Sequence, residues 1–115
     1  MSGWKNGVYQ HHRGGRYRAL YTVQARDPGG DRDPVTLWED ARESTNAYGD
    51  KPVWVWMDRD TGEIFVWGAH RPNAGETVVV YVSLSTGRIC VRDADEFFGL
   101  VDSGAAKVLR FALEM

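Results

Sequence analysis

Val78 to Arg92 reads VVVYVSLSTGRICVR, and twenty-five residues earlier Val53 to Trp67 reads VWVWMDRDTGEIFVW. Each is a pair of β-branched, aromatic runs separated by a polar link containing Thr-Gly, the pattern of two antiparallel strands and a tight connection whose glycine takes the left-handed position. The stretches match at Val53/Val78, Val55/Val80, Thr61/Thr86, Gly62/Gly87, Ile64/Ile89 and Val66/Val91. Three of the matches are valines in strand positions, so shared hairpin chemistry accounts for the likeness as well as duplication does. In the first hairpin Val53, Val55, Met57, Ile64 and Val66 make one aliphatic face, and Trp54, Trp56, Phe65 and Trp67 make the other. A hairpin apolar on both sides must have both covered, by the Val35 to Glu43 segment, by a second subunit or by a flat ligand.

Outward from these hairpins the β character continues. Arg16 to Arg26 alternates Tyr17, Ala19, Tyr21, Val23 and Ala25 with Arg16, Arg18, Leu20, Thr22, Gln24 and Arg26, which predicts a strand with one core face and one basic, wetter face. Val8 to His11 reads as a shorter strand before the turn His12-Arg13-Gly14-Gly15. The expected core is Tyr17, Ala19, Tyr21, Val23, Val80, Ile89 and Val91. DPGGDRDP, from Asp27 to Pro34, has nothing apolar to bury and reads as loop, as does Ser44 to Lys51, while Val35 to Glu43 suits either a strand or a turn or two of helix. Asp93, with Glu96 three residues on, has capping-box spacing for a short helix. After the break at SGAA, Val108 to Leu113 predicts a closing strand with Leu109, Phe111 and Leu113 on one face.

The 115 residues suffice for one domain with a sizeable core and no more. Cys90 is the single cysteine, so no disulfide frame is available within the chain, and no apolar run approaches the roughly 18–20 residues of a membrane span. The chain does not open with a charged segment followed by an apolar one, which reads as a cytoplasmic protein of a bacterium, or of its host if phage-encoded. The net charge of −2 hides an asymmetry: residues 1–26 carry Lys5, Arg13, Arg16, Arg18 and Arg26 without an acid, whereas residues 27–63 are net −6. An anionic ligand is therefore expected on the first segment, unless the two segments neutralise each other in the fold.

Two stretches also resemble a known family. Gly7, Tyr9, His11, His12, Arg13, Gly14, Arg16, Tyr17 and Leu20 are similar to the opening signature of domain-of-unknown-function family 1653, G-x-Y-x-H-aromatic-Lys-G followed by R-Y-x-hydrophobic-L. Val79, Val80, Tyr81, Leu84, Gly87, Cys90, Val91, Arg92, Phe97 and Phe98 resemble its second block, and Arg110-Phe111 its closing pair. His12 stands for the usual aromatic, Arg13 for Lys and Cys90 for Trp, and residues 27–75 have no counterpart. The resemblance implies a small SH3-like barrel built from residues 7–26 and 76–113, with 27–75 inserted in a single domain. It implies no activity.

Among candidate chemistries, neighbours such as His11 and His12 point to opposite faces on a strand and reach one ion only if the turn begins at His12, and His70 and Cys90 lack ligand-pair spacing, so neither metal nor any other cofactor is expected. Cys90 falls mid-strand without a feature that would lower its pKa, Ser103 has no motif, and Asp58, Asp60 and Thr61 are what a hairpin turn demands. A general acid or base role for His11 with Tyr9 or Asp93 leaves a small nucleotide hydrolase as the third reading. The first is a non-catalytic binding module for a nucleotide-like or other anionic ligand, as in a phage protein that sequesters a nucleotide signal. Tyr9, His11, His12, Arg13, Arg16, Arg18 and Arg92 would supply guanidinium forks and flat rings. Duplex nucleic acid fits less well, because +5 in one segment beside an acidic remainder is a weak footprint for a polyanion. The second reading is an oligomerisation or interaction module that uses Trp54, Trp56, Phe65 and Trp67.

Overall fold

The computed structural model describes residues 7–26, 34–38, 42–43, 53–68 and 74–114, with 34–38 and 42–43 described by backbone alone. Among these residues eleven strands and one short helix follow in order: β1 Gly7–His11, β2 Arg16–Gln24, β3 Pro34–Trp38, β4 Arg42–Glu43, β5 Val53–Asp58, β6 Ile64–Gly68, β7 Thr77–Ser83, β8 Ile89–Asp93, α1 Ala94–Phe97, β9 Leu100–Ser103, β10 Ala106–Leu109 and β11 Phe111–Leu113. The fold is all-β, and all its pairings but β4 with β8 are antiparallel. Its main sheet has the order β11-β1-β2-β7-β8-β4, beside a three-stranded sheet β3-β5-β6 and a two-stranded sheet β10-β9. The main sheet is open, with β11 and β4 as edges, and no sheet among the described residues closes into the barrel that the family resemblance implied.

The two Thr-Gly hairpins carry the same turn. Asp58 and Ser83, twenty-five positions apart, each accept on the side-chain oxygen from the backbone N–H three residues on. Their carbonyls take the N–H groups of Gly62 and Gly87 at 2.9 and 2.8 Å. The glycines sit at φ +76° and +74°, which a side chain would strain. Thr61 and Thr86 then accept from the N–H two residues later, each at 3.2 Å. Asp58 and Thr61 are thereby committed to turn geometry.

Central strand β7 is buried on both sides, which is why its sequence reads as an unbroken apolar run. Val79 and Tyr81 point to one face of the sheet with Tyr9, Ala19, Cys90, Phe97 and Phe111, an aromatic core we call face one. Val78, Val80 and Val91 point to the other, face two, and pack against Val53, Val55 and Val66 of the β5–β6 hairpin. The main sheet thus covers the aliphatic face of that hairpin. Each fully buried valine contributes roughly 1.5–3 kcal/mol before the entropy of ordering is counted.

Two expectations need correction, and one open alternative is decided. Tyr17, Ala19, Tyr21 and Val23 do not share a face, because β2 carries an extra residue at Leu20: Ala19 pairs with Tyr81 but Tyr21 pairs with Val80. The bulge reverses the alternation, sending Val23 to face two and leaving Tyr21 exposed. Leu109 and Phe111 do not share a strand either. The chain bends at Arg110, whose N–H donates to the Gly99 carbonyl and whose own carbonyl accepts from His12 N–H, both at 2.9 Å. Leu109 is therefore exposed while Phe111 is core. Val35 to Glu43 is strand at both ends, β3 pairing with β5 and β4 lying parallel beside β8. The loop expectations for 27–33 and 44–51, and His70, lie outside the described residues.

Candidate functional site

His12 to Gly15 form a turn in which His11 N–H donates to the Gly15 carbonyl at 3.0 Å and Gly14 N–H to the His11 carbonyl at 2.8 Å. Gly14 and Gly15 supply the positive φ this requires, +98° and +89°. The register that follows pairs Tyr9 with Tyr17 and Gln10 with Arg16. Side chains alternate, so Tyr9, His11 and Tyr17 lie on face one and Arg16 and Arg18 on face two. The grip expected from His11, Arg13, Arg16 and Arg18 together is divided by the sheet itself. Arg16 is occupied by an ion pair with both carboxylate oxygens of Glu114, whose hydrogen bonds also raise the Arg16 pKa.

Face one gathers a different set of cations. The His11 ring meets Phe111 edge-on at 4.9 Å and Tyr17 at 6.4 Å, with the His12 ring 4.5 Å away. Arg92 enters from β8 and lies buried, its Nε donating to Tyr81 Oη at 3.3 Å and its Nη1 reaching Glu96 Oε2 at 3.4 Å. Its guanidinium carbon sits 5.8 Å from the centre of the Phe111 ring. Arg110, at the bend before β11, donates from Nε to the Glu96 carbonyl at 3.1 Å. Arg13 comes from the turn, exposed, and its backbone N–H donates to His11 Nδ1 at 3.2 Å.

The electrostatics follow from this crowding. Burial first, then His12, Arg92, Arg110 and Arg13, push His11 from 6.5 down to about 4. The ring is therefore neutral at pH 7, and because Nδ1 accepts a hydrogen bond its proton rests on Nε2. His12 is also lowered, by desolvation and then by Arg13 and Arg110. Three guanidiniums and two imidazoles, with the Glu96 carboxylate on Arg92, form a set rich in donors that suits an anion.

Of the residues expected at the site, His11, His12, Arg13 and Arg92 come together, and Arg16 and Arg18 do not. Tyr9 is core, its ring 5.2 Å from Phe97 and 6.3 Å from Phe98, and offers no stacking surface. Arg110 and Glu96 were not assigned to the site from the sequence. The closing Arg110-Phe111 pair was the available signal for the first, but nothing local showed that the chain bends there. Asp93 caps α1, accepting from Asp95 N–H at 2.9 Å, while Glu96 turns to Arg92. Of the two acid–base partners expected for His11, Tyr9 packs against Phe97 and Phe98 and Asp93 caps α1, while His11 Nδ1 accepts from the Arg13 N–H.

On the β5–β6 hairpin, Trp54 pairs with Trp67 and Trp56 with Phe65 on one face, as the alternation predicts. The Trp54 and Trp56 rings stack at 6.2 Å, and the three tryptophans are half-buried. Phe65 is fully buried, with Arg26 over its ring at 4.4 Å and paired to Glu63, so it is part of the packing and unavailable as a contact surface. A groove of about 370 Å³ lined by Val23, Gln24, Arg26, Glu63 and Ile64 lies beside this pair, apart from the cationic cluster.

Among the described residues no three of His, Cys, Asp and Glu gather closely enough to hold a metal ion, and no helix is long and apolar enough to cross a membrane. Compared with protein-family models, curated proteins and solved structures, the chain matches none.

Proposed function

We propose that the protein is a non-catalytic binding module for a small phosphate-bearing, nucleotide-like anion, held on face one by Arg13, Arg92, Arg110 and His12. The observation that carries this reading is the convergence of Arg13, Arg92 and Arg110, from three separate segments, around His11, whose pKa is lowered by burial first and by these charges after it. Like charges drawn together at some cost are typical of a site whose compensating charge is a ligand. With Tyr9 in the core, affinity rests on charge and forked donors more than on base stacking.

Calorimetric titration of AMP and of inorganic phosphate into wild type and an Arg13→Gln/Arg110→Gln double variant tests it. Each charged hydrogen bond lost should weaken binding by about 1–3 kcal/mol. Wild-type affinity should also fall as salt rises. Equal affinity in the double variant would show that the cluster does not hold the ligand.

A second reading, an interaction module, is favoured by the stacked, half-buried Trp54 and Trp56. Trp56→Ser, followed by sedimentation, tests it: a folded variant that loses an assembly formed by wild type would support that role, and an unchanged mass would remove it.

A further inference from the structure

We propose that Glu96 is a built-in counter-ion for this site: it occupies the anion position on Arg92, gives way to the incoming ligand, and thereby selects phosphate over singly charged carboxylates. The inference rests on the anion-binding reading above. Arg92 has only 8% of its side chain exposed, whereas Glu96 has 37%. A buried guanidinium left without a compensating anion is costly, and Glu96, one helical turn on, supplies one.

The contact is built to be exchanged. At 3.4 Å it is longer than the 2.7–3.2 Å of a well-formed N–H···O bond. The Glu96 backbone is held separately, its carbonyl accepting from Arg110 Nε at 3.1 Å and from Gly99 N–H at 3.3 Å. The carboxylate can therefore rotate towards water about its own side-chain bonds while α1 stays in place. A ligand carboxylate arriving at Arg92 only replaces one carboxylate with another. A phosphate dianion brings the extra charge and a third oxygen, which Arg13 and Arg110 can engage at the same time. The threshold that Glu96 imposes is thus one of ligand charge.

Inorganic phosphate, AMP and acetate titrated into wild type, Glu96→Gln and Glu96→Ala provide the test, with melting followed in the presence and absence of phosphate. Both substitutions keep the backbone carbonyl that Arg110 uses. Phosphate and AMP should bind about tenfold more tightly to both variants. Acetate, negligible on wild type, should become detectable. Without phosphate the variants should melt below wild type, and phosphate should raise their midpoints more than it raises that of wild type, a response that a purely structural Glu96 would not produce. Binding only by the variants would also support the proposal. If wild type binds phosphate and the variants bind it equally or more weakly, Glu96 is not a competitor and the anion site stands without it. If neither wild type nor variants bind any of the three, the site reading itself fails, and this inference with it.

Discussion

The two faces of the main sheet are built from different materials. Face two is six buried valines, Val53, Val55, Val66, Val78, Val80 and Val91, edged by Val23, Ile64 and Ile89. Face one is aromatic: Phe97 and Phe111 stack at 4.2 Å with Tyr9 and Tyr81 set against them at angles. Valine offers shape and nothing else, so face two seals a hairpin onto the sheet and tolerates no polar group. Tyrosine carries a hydroxyl at the end of an apolar ring, and Tyr81 uses it to receive Arg92. A buried arginine is admissible on one face and excluded from the other. That is why the candidate chemistry collects where the aromatic core meets the β1–β2 turn, and why Arg16 and Arg18, on the opposite side of the same strand, take no part.

The strongest way to break this contrast is to put a charge on face two. Val80→Asp buries an unpaired carboxylate among valines and should cost about 3–5 kcal/mol, a large share of a marginal domain's stability. Urea unfolding followed by tryptophan fluorescence measures it, and an unchanged midpoint would refute the assignment of Val80 to a sealed core. Face one is tested by Phe97→Ala, which removes a ring in contact with Tyr9, Tyr81, Phe98 and Phe111. A loss of about 3–5 kcal/mol is expected, at the upper end if the stacked Phe111 ring cannot collapse into the space. Because the cationic site is built on that ring, anion affinity should fall in this variant and not in a face-two variant of equal stability.

A subtler contrast is pH. His11 titrates near 6.5 when unfolded but only near 4 in the fold, so across that window the unfolded chain binds more protons. Stability attributable to His11 is present above pH 6.5 and is lost as pH falls towards about 4. The melting midpoint of wild type should therefore fall more steeply over this interval than that of His11→Gln. A parallel pair of curves would mean that the imidazole is not held neutral by burial and its cationic neighbours. Bound phosphate should reduce the difference, since a neighbouring anion favours the protonated ring.

The smallest effect is expected from Arg16→Gln and Arg18→Gln. The Arg16–Glu114 pair is exposed and screened by solvent, so it contributes little, and neither arginine lies on face one. Phosphate affinity should stay within about twofold of wild type in both, and a loss matching that of Arg13→Gln would mean that the ligand straddles the sheet edge.

What could be read from the chain alone is what neighbouring residues decide. Thr-Gly at 61–62 and 86–87 specifies a turn because the glycine's positive φ and the threonine's bond two residues on are both local. The same holds for the Asp93 cap and for the aliphatic and aromatic faces of Val53 to Trp67. The division of His11 from Arg16 and Arg18 was not read there: it waited on the turn bonds at His11 to Gly15, which fix the pairing of Gln10 with Arg16 and leave alternation to do the rest.

Tertiary structure decided everything that depends on distant pairing. The bulge at Leu20 exists only against β7, and by moving one residue out of register it sends Val23 to the valine core. Arg110 leaves the strand pattern because its backbone is claimed by Gly99 and His12. Arg13 lies 79 residues before Arg92 and 97 before Arg110, and no local rule brings them to one histidine. They meet because β1 lies between β2 and β11, and because burying Phe111 against Phe97 pulls both arginines towards the same turn. A period of two tells which side of a strand a residue faces, and only the order of strands in the sheet tells what it faces.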